Sequence, residues 1–231
     1  MRLYLFDIDG TLLSARGLGR AAYRRALERV FGTAGALDTY DLRGKTDPRI
    51  VHDVMTAAGI PGETIEARLA ECFDAYAREL EALLGDGSVV RVMPGIRLLV
   101  EALAARADAV VGLLTGNIEP GARLKLRPTG LLDHFRVGAF GSDAMDRRRL
   151  PPIARARARQ LVGHDFAFDR VTIIGDTPHD VDCARACGAV AVAVATGLYP
   201  VAELAACGPD LLFGDFGDVE RALAALTNGA R

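Results

Sequence analysis

The stretch Leu3–Leu12, LYLFDIDGTL, decides how the rest of the chain is read. Leu3–Ile8 is a short apolar run, the pattern of a strand buried on both faces of a parallel sheet. It ends in Asp7-Ile8-Asp9-Gly10-Thr11-Leu12, where two carboxylates meet a glycine suited to a tight turn. In an open α/β sheet the reactive crevice lies outside the carboxyl ends of the strands. An apolar strand tipped with carboxylates therefore points to both a fold and a place for chemistry.

Working outward, five more apolar runs read as strands: Ala109–Leu114, Val137–Phe140, Val171–Ile174, Val190–Val194 and Leu211–Phe213. Helical patterns fall around them at the spacing of βαβ units: Ile96–Arg106, Glu119–Arg127, Pro152–Val162, Pro178–Cys187, Pro200–Ala206 and Val219–Leu226. This alternation predicts an α/β fold, a doubly wound parallel-sheet (Rossmann-like) core. The first strand has no partner strand for about a hundred residues. From Gly17 to Leu84 the pattern is helical throughout, with Leu18, Ala22, Ala26 or Leu27 and Val30 near a period of 3.6. Ile65–Leu84 suits one long helix or two. Gly44-Lys45-Thr46-Asp47-Pro48 reads as a loop entering a helix, with Thr46 or Asp47 as N-cap and Pro48 at the first helical position. The expected organisation is a core of residues 1–14 and 90–231 with a small helical cap domain inserted at 15–89.

Composition excludes several classes. Among 231 residues, 28 Lys and Arg balance 30 Asp and Glu to a net charge of −2, so no nucleic-acid partner is expected. Aromatics make up 6% with no Trp, which leaves few rings for stacking bases. Four cysteines, Cys72, Cys183, Cys187 and Cys207, are too sparse for a disulfide framework, and a reduced, cytoplasmic chain is expected. Cys183 and Cys187 share a helical face but lack a second Cys/His pair for zinc. The uncharged stretch from Ala186 to Ala202 is interrupted by Gly188, Gly197 and Pro200, so no membrane partner is expected.

The polar residues gather at strand ends. The second core strand closes in Thr115-Gly116-Asn117, and Val171–Ile174 runs into Gly175-Asp176-Thr177-Pro178-His179-Asp180. Any one of these aspartates by itself reads as a turn or helix cap. Asp7, Asp9 and Asp176 from two strand tips would meet in one cleft, with Asp180 one turn on, and would repel strongly unless a cation joined them. Oxygen-only ligands favour Mg²⁺ over zinc, and Mg²⁺ in such sites usually serves a phosphate.

Asp7-Ile8-Asp9-Gly10-Thr11 is similar to the DxDGT signature of the haloacid dehalogenase superfamily of hydrolases, Thr115 resembles its second motif, and Gly175–Asp180 its fourth. The helical insert resembles the family's cap of the first type, so the likeness runs through almost the whole chain in order. The resemblance implies Asp7 as nucleophile, forming an aspartyl-phosphate, and Asp9 as general acid and then base. It implies Mg²⁺ held by Asp7, the Asp9 carbonyl and Asp176, with Asp180 in support. Thr115 would bond a phosphoryl oxygen, with the Gly116 and Asn117 N–H groups nearby and the Gly10-Thr11 turn letting backbone approach the phosphate.

The family's Lys-Pro third motif is absent. Arg147, in Asp146-Arg147-Arg148-Arg149, lies where the family keeps its phosphate cation and is the favoured equivalent, with the neighbouring arginines read as a solvated run. Only Lys45 and Lys125 are lysines, a scarcity that reads either as chance or as lysine kept where a compact charge has a use. Lys125 is the competing cation. Two turns into its helix, it is expected to pack along that helix instead. Lys45 lies in the cap loop that, in this family, can face the active site.

Within the resemblance, Asp9 argues against dehalogenases and phosphonate-cleaving relatives, which typically lack an acid there. The segment Arg16-Gly17-Leu18-Gly19-Arg20 lacks the histidine of hexose-phosphate mutases. The expected function is Mg²⁺-dependent hydrolysis of a small phosphomonoester, with phosphoglycolate phosphatases the nearest pattern. Mutase, phosphonate hydrolase and a catalytically silent binding module stand as alternatives.

Overall fold

The computed structural model describes residues 1–228. Six parallel strands form the core sheet: β1 (Arg2–Phe6), β4 (Ala109–Leu114), β5 (Val137–Ala139), β6 (Val171–Gly175), β7 (Val190–Val194) and β8 (Leu211–Phe213). Their order is β5-β4-β1-β6-β7-β8. β1 sits in the middle, with Leu3 facing Val110 of β4 on one side and Val171 of β6 on the other. The sheet is filled in one direction from β1 and then in the other, so its switch point lies at the carboxyl end of β1.

Helices cover both faces. Tyr4 and Phe6 of β1 point to a core formed with α4 (Ile96–Ala104), α5 (Glu119–Leu126) and α9 (Val219–Asn228). Leu3 and Leu5 point the other way, to α6 (Leu150–Val162), α7 (Pro178–Cys187) and α8 (Val201–Ala206). Complete burial of such side chains is worth about 1.5–3 kcal/mol each, which explains why the strand is apolar at consecutive positions. β1 closes at Phe6 rather than Ile8, but the Asp7 N–H still donates to the Ile174 carbonyl at 2.9 Å and fixes the first carboxylate at the sheet edge.

After Asp9 the chain turns into a two-residue strand β2 (Leu13–Ser14), which pairs antiparallel with β3 (Arg91–Val92). Between these lie α1 (Leu18–Phe31), α2 (Asp47–Ala57) and α3 (Gly62–Leu84). They are packed on an apolar core of their own that includes Leu27, Val54 and Leu80. The long pattern up to Leu84 is one helix, α3. The insert is not helical throughout: residues 32–46 form an irregular connection. Thr46 is the backbone N-cap of α2 and Pro48 is its second residue. Neither Thr46 nor Asp47 spends its side chain capping that helix; both reach across to the core. The Thr46 hydroxyl donates to the Met145 carbonyl at 2.6 Å, and the Asp47 N–H donates to the Gly116 carbonyl at 2.8 Å.

Candidate active site

A cavity of about 660 Å³ lies between the β-strand tips and the three inserted helices. Asp7, Asp9, Gly10, Thr115, Gly116, Asn117, Arg147 and Asp176 line it from the sheet side. Tyr23, Lys45, Asp47, Ile50 and Tyr76 line it from the inserted segment, and Lys125 from α5. Both lysines of the chain are therefore in its wall.

Asp7, Asp176 and Asp180 each present a carboxylate oxygen within 4.8 Å of the others. All three are buried. Burial pushes the Asp7 carboxyl up to about 6, with Arg147 opposing and the neighbouring aspartates adding to the rise. The same burial and repulsion hold Asp176 well above the ordinary carboxylate range. A divalent cation would relieve both penalties, and the all-oxygen donor set fits Mg²⁺. Gly10, at φ +85°, keeps this geometry open: a Cβ there would overlap the Asp176 carboxylate. Asp180 is the most committed of the three, because its Oδ2 accepts from the Thr177 N–H (3.0 Å) and hydroxyl (2.7 Å). Its Oδ1 pairs with Arg147 Nη2 at 2.5 Å.

Arg147 is only 7% exposed, unlike the arginines beside it. Its Nη2 also lies 3.3 Å from Asp7 Oδ1, and its Nη1 donates to the Gly44 carbonyl at 3.3 Å. One guanidinium thus touches Asp7, Asp180 and the loop leading into the second inserted helix. The planar fork of five donors makes this possible where an ammonium would not suffice.

Asp9 sits on the opposite wall with its side chain 45% exposed. Its Oδ2 accepts from Asn117 Nδ2 at 2.8 Å and from Lys125 Nζ at 2.6 Å. Asn117 Oδ1 accepts a second Lys125 N–H at 2.6 Å, and Asn117 Nδ2 also donates to Thr115 Oγ1 at 2.8 Å. The expectation that Lys125 packs along its helix is overturned. Side chains on α5 lean toward its N-terminus, so a long side chain from the second turn reaches back while Asn117 turns to meet it. Lys125 is 4% exposed. Burial works to discharge its ammonium, and the Asp9 carboxylate overrides that, holding Lys125 above the ordinary lysine range.

Other expected residues take less direct positions. Thr11, read as a phosphate contact, is fully buried and does not line the cavity; its hydroxyl donates to Asp176 Oδ1 at 3.1 Å. The Asn117 N–H is already directed at Thr115 Oγ1, at 3.3 Å. Lys45 lines the cavity with its Nζ 3.8 Å from the centre of the Tyr40 ring, a cation–π contact. Gly116 lies directly beneath the Lys45 carbonyl, which a Cβ would strike. Asp47 was legible only as a capping position. In the fold it is buried, its Oδ2 accepts from the Ile118 N–H at 2.7 Å, and burial pushes its carboxyl up to about 6 against the pull of Lys125.

The family model described as "haloacid dehalogenase-like hydrolase" matches residues 1–188. A phosphoglycolate phosphatase of Rhodospirillum rubrum is 29% identical over 219 residues, covering 92% of this chain and 86% of that protein. The tyrosine-protein kinase PtkA of Mycobacterium tuberculosis is 32% identical over 200 residues, which span 85% of this chain but only 62% of the kinase. A hydrolase from Pseudomonas syringae superposes with a TM-score of 0.72 at 22% identity, covering 96% of this chain and 98% of that one, which establishes the shared fold. With the family model spanning most of its length, the chain belongs to the haloacid dehalogenase-like hydrolases.

Proposed function

We propose that this hydrolase is a phosphatase acting on a small phosphomonoester through an aspartyl-phosphate on Asp7. One observation carries the reading: three buried carboxylates have oxygens within 4.8 Å of one another, two of them (Asp7 and Asp180) are paired with Arg147, and Asp7 and Asp176 line a cavity beneath the inserted helices. Asp7, Asp176 and the Asp9 carbonyl would hold Mg²⁺ with Asp180 in support. When bound, that ion supplies positive charge that lets an anionic carboxylate meet an anionic phosphate.

In the first step an Asp7 oxygen forms a bond to phosphorus as the ester P–O bond breaks. Asp9 delivers a proton to the departing oxygen, so the product leaves as an alcohol. In the second step Asp9 takes a proton from water as the water oxygen attacks phosphorus, which frees inorganic phosphate and restores Asp7. The Arg147 guanidinium stabilises the charge that develops beside Asp7, and the Thr115 hydroxyl donates to a phosphoryl oxygen. The roof of inserted helices limits the substrate to a small, soluble ester and excludes bulk water.

The phosphoglycolate phosphatase of Rhodospirillum rubrum supports a short carboxylate-bearing ester as the first candidate. Four free cysteines support a reducing, cytoplasmic setting. Among the described residues no helix is long and apolar enough to cross a membrane. The test is a screen of purified protein with Mg²⁺ against about a hundred phosphate esters, hexose phosphates and phosphonates, ranked by kcat/KM. Release of phosphate from a small monoester is expected. Interconversion of hexose phosphates would replace this reading with a mutase, phosphonate cleavage with a phosphonatase, and complete inactivity with a binding module.

A further inference from the structure

We propose that Lys125 is a positioning residue for Asp9, fixing which carboxylate oxygen handles the proton of the leaving group. The inference rests on the phosphatase reading and goes beyond it, because nothing in that chemistry requires a lysine on α5.

Two donors, Lys125 Nζ and Asn117 Nδ2, converge on the same oxygen, Asp9 Oδ2, at 2.6 and 2.8 Å. Among the described residues Oδ1 has no side-chain partner, and Asp9 is far less buried than Asp7, Asp176 and Asp180. A half-exposed aspartate held by one oxygen presents the other to the cavity in a fixed direction. Without the anchor its carboxylate would rotate among several orientations. Proton transfer needs donor and acceptor within hydrogen-bond reach, so such freedom slows the step.

Lys125 is itself anchored. Asn117 Oδ1 takes a second of its protons, and the Tyr76 hydroxyl of α3 lies against the ammonium. Burial of Lys125 to 4% exposure leaves it no solvated alternative. The anchor therefore combines the loop after β4 with a helix of the inserted segment, and Asp9 is aligned when that segment is seated.

A positioning role is distinguished from a merely structural one by leaving-group dependence. An aryl phosphate with a good leaving group departs with little help from an acid, whereas an alkyl phosphate needs the proton. The experiment compares wild type and Lys125→Met on p-nitrophenyl phosphate and on the best alkyl ester from the screen, with the melting temperature as a check on folding. The alkyl rate is expected to fall at least tenfold more than the aryl rate. Equal losses on both esters in a folded variant would overturn the proposal. If Lys125→Met fails to fold, Asn117→Ala decides, since it removes the other donor to Oδ2 and must show the same selective loss. Absence of ester hydrolysis by the wild type would instead refute the phosphatase reading itself.

Discussion

The Asp47 carboxylate, at the start of α2, and the Ile118 N–H, just before α5, are joined by a 2.7 Å hydrogen bond that docks the inserted helices on the core. Burial pushes the Asp47 carboxyl up to about 6, whereas an unfolded aspartate ionises near 4. Between those values the folded state retains a proton that the unfolded chain has lost. The stability tied to that proton is complete below about pH 4 and is lost as pH rises to about 6, at a cost of roughly 3 kcal/mol. Asp47→Asn is expected to flatten the fall in stability across this window in chelated buffer. Urea unfolding at pH 4, 5, 6 and 7 checks it; parallel curves for the two proteins would contradict the assignment.

Asp7→Asn is nearly isosteric and removes a carboxylate whose ionisation burial opposes. Turnover is expected to fall at least about a thousandfold, roughly 4 kcal/mol of transition-state stabilisation. The melting temperature in chelator is expected to hold or rise. Retention of a tenth of the wild-type rate would rule Asp7 out as nucleophile.

Chelation with EDTA is expected to abolish activity and Mg²⁺ to restore it. An ion held only by the folded cluster of Asp7, Asp176 and Asp180 would also raise the melting temperature by mass action. Asp176→Asn is expected to require at least tenfold more Mg²⁺ for half-maximal activity and to lose most of that thermal shift. Ca²⁺, with looser and larger coordination, is expected to inhibit. Full activity after exhaustive chelation is the contrary outcome.

Arg147→Ala removes the cation beside Asp7 and strands Asp180, whose side chain is 1% exposed. The expected loss is at least a hundredfold in kcat/KM, about 2.7 kcal/mol, together with lower stability. Arg147→Lys keeps the charge but not the fork, so it is expected to recover only part of the rate. Rates and unfolding curves for both variants decide the point: an alanine variant within fivefold of wild type would place the phosphate cation elsewhere.

Gly116→Ala would push a methyl group into the Lys45 carbonyl of the loop before α2. The loop must retreat, and the hydrogen bond from the Asp47 N–H to the Gly116 carbonyl must lengthen or break. A fall in kcat/KM of tenfold or more is expected, carried largely by KM, together with a lower Tm. Steady-state kinetics with a normal KM would show that the loop position does not matter to substrate.

The strands and the carboxylates at their tips were legible because both are local properties of the chain. Burial on two faces demands consecutive apolar residues, as in β1, and the chain emerges from such a strand at a fixed end, where Asp7 and Asp176 stand. The scarcity of lysine also marked Lys45 and Lys125, and both line the cavity. Their partners were not legible, nor was the use of Asp47. Lys125 meets Asp9 across 116 positions of sequence and Asp47 meets Ile118 across 71, and no periodicity reports contacts of that range. Where Lys125 points depends on the tilt of α5 side chains toward their N-terminus and on a roof that denies the ammonium water. Which oxygen of Asp9 is held, and which is left to the cavity, follows from that packing alone.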